Sequence, residues 1–101
     1  MAKPPALTGR ATTRRYDFAS GQKVAVGVAS VQSVAIAAVE VMLRASSRCF
    51  IAVGANPTAA NAAGSFPLEA GESFHLQVAA GDKVAVIRDT ADGFLYIVPV
   101  A

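Results

Sequence analysis

The sequence predicts an all-β protein: a small β-sandwich or jelly roll of seven to nine short antiparallel strands, preceded by an extended N-terminal arm. Three observations carry that prediction. Apolar and polar residues alternate with a period of two in several separate runs, as in strands with one buried face. Turn residues punctuate those runs at intervals of about eight to twelve residues. The composition, 53% hydrophobic and 16% charged over 101 residues, is that of one folded domain and is too apolar for a disordered chain.

The first candidate strand, near residues 23–28, follows Ser20-Gly21. Residues 30–43 are rich in Ala and allow a helical drawing, with Val28, Val31, Val34 and Ile36 loosely on one side. Their β-branched density, and the alternation that begins at Val39, favour two strands near 33–37 and 39–44. In the latter, Val39, Val41 and Leu43 point one way, with Glu40 and Arg44 opposite. After Ala45-Ser46-Ser47, Cys49, Ile51 and Val53 alternate with Arg48, Phe50 and Ala52.

Asn56-Pro57 opens a longer loop that runs to about Ser65. A turn at Ala70-Gly71 leads to Glu72–Val78, where Phe74, Leu76 and Val78 share one face and Ser73, His75 and Gln77 the other. Gly81-Asp82 marks the next turn, before Val84 and Val86 alternate with Ala85 and Ile87. Asp92-Gly93 reads as a tight hairpin, because glycine tolerates the positive φ such turns require. The last strand, Phe94 to Val98, is apolar on both faces, which places it centrally or at an interface.

Charge divides the chain. Residues 1–23 hold Lys3, Arg10, Arg14, Arg15 and Lys23 against Asp17, a balance of +4; the rest hold four cations against six acids, −2, giving the chain its net +2. Pro4, Pro5 and Gly9 discourage regular structure in the same stretch. Residues 1–15 are therefore expected to form a basic arm and residues 16–101 a single β-sandwich domain. Within the arm, Lys3, Arg10, Arg14 and Arg15 are the candidate residues for docking on an acidic protein surface. Nucleic acid is a poorer fit, since it calls for a denser basic patch with stacking aromatics and only Tyr16 and Phe18 are near.

The chain offers little chemistry. One cysteine, Cys49, excludes an intrachain disulfide, and a buried inert thiol is its default reading. His75 has no neighbours at ligand spacing, so no metal or cofactor is expected. Glu69 and Glu72 flank a turn, whose polarity accounts for them better than acid–base work does. Asp89-Thr90-Ala91-Asp92-Gly93 lacks the alternating oxygen ligands and distal Glu of a calcium loop. No glycine-rich phosphate loop is present. The first residues have no apolar signal-peptide core, and runs such as Val34 to Val39 fall far short of a membrane span. An enzyme is not expected, nor is a membrane partner.

From Val39 onward the pattern of strands and turns resembles a group of small tailed-bacteriophage virion proteins. The matching pieces are Val39-Glu-Val-Met-Leu-Arg44, then Cys49-Phe-Ile-Ala-Val-Gly54 running into Asn56-Pro-Thr-Ala59. Phe66-Pro-Leu-Glu-Ala-Gly71, Phe74-His-Leu-Gln-Val78, Gly81-Asp-Lys-Val-Ala-Val-Ile87 and Leu95-Tyr-Ile-Val-Pro99 follow. The resemblance implies a β-sandwich component of the particle, and small members are often capsid decoration or cement proteins. It carries over no site residues. The expected partners are a major capsid protein or another virion protein, together with further copies of the chain as a dimer or trimer. The expected location is the virion, after synthesis in the host cytoplasm. A tail, neck or fibre-attachment protein is the alternative, and a small glycan-binding module a weaker one.

Overall fold

The computed structural model describes residues 15–101. A short 3₁₀ turn, Phe18–Ser20, is followed by eight strands: β1 (Gln22–Val26), β2 (Val31–Gln32), β3 (Glu40–Ala45), β4 (Cys49–Gly54), β5 (Phe66–Leu68), β6 (Ser73–Gln77), β7 (Lys83–Arg88) and β8 (Gly93–Pro99). The protein is all-β, as its alternating pattern predicts.

The pairing is nested. Strand β1 lies antiparallel to β8, β2 to β7, β3 to β6 and β4 to β5. A chain folded into one long hairpin, with β1 to β4 outbound and β5 to β8 returning, makes those pairs. Rolling the hairpin up brings β8 against β3 and β7 against β4. Two four-stranded antiparallel sheets result, ordered β1-β8-β3-β6 and β2-β7-β4-β5. That nesting makes the sandwich a jelly roll.

The core lies between the sheets. Val24, Val26, Val41, Leu43, Leu95 and Ile97 face inward from the first sheet, and Cys49, Ile51, Leu68, Val84 and Val86 from the second. Strand β8 is central, with Leu95 and Ile97 fully enclosed.

The outer face of the second sheet is also covered. Ala85 pairs with Gln32 on one side and Ala52 on the other, outside the core, yet has no exposed surface. The 55–65 loop covers this side of the sheet. Gln32 Nε2 donates to Pro57 O and to Asn56 Oδ1, both at 2.8 Å, and the Ala59 N–H donates to Ser30 Oγ. Pro57 and Ala59 are themselves buried. The alternation expected along β4 breaks: Phe50, pointing outward with the Arg48 guanidinium 5.3 Å from its ring, is 7% exposed, whereas inward Val53, beyond the stretch that β5 pairs, is 36% exposed.

Two expectations need correcting. The strand expected at 33–37 is not one: regular pairing ends at Gln32. The segment still follows β7, since the Ser33 amide donates to Val84 O and the Ile36 amide to Asp82 O. The Val84 amide, however, bonds to the Ser33 hydroxyl rather than to a main-chain carbonyl, which ends the ladder. Ile36, 2% exposed, then turns into the core.

The Asp92-Gly93 hairpin is also absent. Strand β7 belongs to the second sheet and β8 to the first, so residues 89–92 turn a corner between layers. Gly93 does not adopt positive φ, unlike Gly71 and Gly81 at the other predicted turns. It is glycine because a Cβ there would lie 2.6 Å from Ser46 Oγ and 3.1 Å from Ser47 Cβ.

Candidate interaction surface

Of the four arm residues singled out for docking, Lys3, Arg10 and Arg14 lie outside the described residues. Arg15 is exposed, and its carbonyl accepts the Ala101 amide at 2.7 Å. Tyr16 forms a bridge with Val100, and the Asp17 amide donates to Pro99 O. The chain thus joins the domain alongside the end of β8.

From there Tyr16 reaches across the outer face of the first sheet. Its hydroxyl is hydrogen-bonded to His75 Nε2 at 2.6 Å, on the edge strand β6. Its ring lies 6.1 Å from that of Phe18. His75 faces outward beside Met42 and Val98, which occupy the same row of the sheet. The alternation of β6 puts His75 on the outward face, as expected, but carries no signal for a partner 59 residues away.

The same face exposes aromatic surface. Phe18 is 73%, Phe94 42% and Tyr96 41% exposed. The strand register places Tyr96 between Lys23 and Arg44, and Lys23 Nζ sits 4.1 Å from the centre of the Phe94 ring. Aromatic rings flanked by cations suit contact with a protein surface that is partly apolar and partly acidic. The expectation from composition, that β8 is apolar on both faces, finds its outward half here.

Of the carboxylates considered for catalysis or calcium, Glu69, Asp89 and Asp92 are paired with arginines. Arg48 Nε donates to Glu69 Oε2 and its Nη1 to Asp89 Oδ2, each at 2.7 Å. Hydrogen bonds to Glu69 first, then Asp89, hold the Arg48 guanidinium above its ordinary pKa. Asp92 pairs with Arg88. These ties fasten the β4 start to two corner loops and stiffen that end of the roll. Among the described residues, no group of three or more His, Cys, Asp or Glu could hold a metal ion. No helix among them is long and apolar enough to cross a membrane.

Cys49 has no exposed surface, and burial pushes its thiol up from 9.0 to about 11, with Arg48 offsetting part of the shift. A thiol so held is a poor nucleophile at neutral pH.

Comparisons with family models, curated proteins and solved structures found no match to this chain.

Proposed function

We propose that this chain is a non-enzymatic structural component of a bacteriophage virion, a capsid decoration or cement protein that binds and stabilises the head shell. The observation that carries the reading is an aromatic, cation-flanked outer face on a jelly roll: Phe18, Phe94 and Tyr96 with Lys23 and Arg44. Jelly rolls recur in viral capsid proteins and in lectins, so the fold supports a particle component by analogy alone. The resemblance from Val39 onward points the same way. A cement protein needs a rigid body, a contact face and copies that match the symmetry of the shell.

In this reading the partner is the major capsid protein or another virion protein. The basic residues Lys3, Arg10, Arg14 and Arg15 steer the domain to an acidic surface, and the aromatic face makes the close contact. Synthesis takes place in the host cytoplasm and assembly on the particle. A tail, neck or fibre-attachment position would use the same surfaces at a different place.

Co-sedimentation with particles lacking the protein tests the proposal. The full chain is expected to pellet with heads, and binding should weaken as salt rises. A chain beginning at Tyr16 should bind at least about tenfold more weakly, the loss of some 1.4 kcal/mol of contact. Failure of the full chain to pellet with heads would overturn the head assignment. Recovery with isolated tails would instead support the alternative position.

A further inference from the structure

Each sheet has two edges, and three of the four are guarded. Strand β1 carries Lys23, and the Gln22 side chain both donates to Val34 O and accepts the Val34 amide, which holds the 33–37 segment against it. Strand β2 is only two residues long, and β5 has three residues with Pro67 at its centre. Short strands, charges and proline are the usual means of preventing edge-to-edge association.

Strand β6 has none of them. Its five residues, Ser73-Phe-His-Leu-Gln77, include no proline and no Asp, Glu, Lys or Arg. The Val78 amide donates to Val39 O, which fixes the alternation along the pair. Phe74 and Leu76 therefore bond to β3, while the main-chain groups of Ser73, His75 and Gln77 face away from it. Among the described residues those groups have no backbone partner.

The core opens beside this edge. Val53, Phe66, Phe74 and Leu76 line a groove of about 400 Å³ between the two sheets. The rings of Phe66 and Phe74 stack at 4.9 Å, yet Phe66 stays 49% exposed.

We propose that β6 is the self-association edge of this protein, pairing antiparallel with β6 of a second copy about a two-fold axis through His75. The sequence of the strand selects that occupant. Its pattern is palindromic: polar Ser73 and Gln77 at the ends, apolar Phe74 and Leu76 inside, His75 at the centre. Antiparallel pairing on that axis sets Ser73 opposite Gln77 and Phe74 opposite Leu76. Apolar side chains then meet apolar ones on the core side, and both grooves close. A charged peptide would find no Asp, Glu, Lys or Arg among the five residues to pair with, and a second copy of the strand brings none.

The surface available sets the strength. The edge is about 17 Å long and the sheets stand ~10 Å apart. That offers a few hundred Å² per copy, below the ~800 Å² of a standard stable interface. The dimer is accordingly weak in dilute solution and is populated where copies are concentrated. The proposal does not depend on the virion reading.

Sedimentation equilibrium of the full chain, from about 1 μM to about 1 mM, measures the association. A reversible monomer–dimer equilibrium is expected, with the Ser73, His75 and Gln77 amides exchanging more slowly at high concentration. Ser73 and Gln77 are both exposed, so charges can be placed on them without entering the core. Ser73→Lys with Gln77→Lys sets like charges opposite each other twice and should weaken the dimer by about tenfold. Ser73→Glu with Gln77→Lys sets opposite charges there and should dimerise at least as tightly as the unmodified chain. Thermal melting confirms that both variants fold. Should the first variant fail to fold, the second still tests the register. A monomer throughout, a double-lysine dimer as tight as the original, or a weakened Glu/Lys dimer would each overturn the proposal.

Discussion

Tyr16 and His75 are joined by a hydrogen bond of 2.6 Å across the outer face of the first sheet. The bond fastens the start of the domain to its edge strand, across β3 and the end of β8. Tyr16→Phe keeps the ring and removes the hydroxyl, so it should cost about 1 kcal/mol, or roughly 4–8 °C in melting temperature. A chain beginning at Tyr16 should melt like the full chain, and one beginning at Gly21 clearly lower. Equal melting of the two truncations would show that residues 16–20 add nothing to stability.

Ser33 is the buried polar residue that ends the β2 ladder; its hydroxyl accepts the Val84 amide and donates to Val34 O, both at 2.9 Å. Ser33→Ala leaves the Val84 amide without its acceptor. The expected loss is about 1–3 kcal/mol by chemical denaturation, larger than for an exposed serine such as Ser73.

Gly93→Ala should destabilise by about 1–3 kcal/mol through crowding, although its φ is not positive. The neighbours at fault are Ser46 and Ser47. Ser47→Gly in the same chain should therefore recover part of the loss. At Gly71, where φ is +80° and a Cβ would meet nothing within 4 Å, alanine is disfavoured by backbone strain. No neighbouring substitution should rescue that variant.

Cys49 gives an alkaline dependence. Its thiol ionises near 9.0 when unfolded and near 11 when folded. Below pH 9 both states hold the proton. Between about pH 9 and 11 the unfolded state binds fewer protons, so stability contributed by the neutral thiol is lost as pH rises. The decline should approach ~1–2 kcal/mol by pH 11 and be absent from that interval in Cys49→Ala, measured as the difference between the two denaturation series. Identical pH profiles would contradict the buried thiol.

Alternation made most strands legible, because the side chains that decide it are local. Glu40–Ala45, Ser73–Gln77 and Lys83–Arg88 fall where period two places them. The layer to which each strand belongs was not legible. Asp92-Gly93 carries the composition of a hairpin, and only the nested long-range pairing turns it into a corner. Residues 33–37 kept a strand-like composition while their ladder was ended by one hydroxyl. The aromatic outer face was half visible as the doubly apolar β8. Its other half, Tyr16 and Phe18, comes from residues that composition groups with the basic stretch. The open β6 edge depends on which strand has one neighbour, and that is a property of topology.

Two exposed residues of β8 separate the outer surface of the first sheet from the fold. Phe94→Ser with Tyr96→Ser removes aromatic area outside the core, so the domain should stay folded, with a melting change smaller than that of Leu95→Ala, which costs about 2–5 kcal/mol. Binding to heads should fall at least about tenfold. Retained binding would remove this face from the contact.

Cryo-electron microscopy of phage heads assembled with and without this chain tests whether it decorates the shell. Extra density is expected at symmetric positions on the outside of the shell, fitted by the jelly roll with Phe94 and Tyr96 toward the capsid. Identical head maps, with the protein found on tails or free in the lysate, would contradict decoration of the shell.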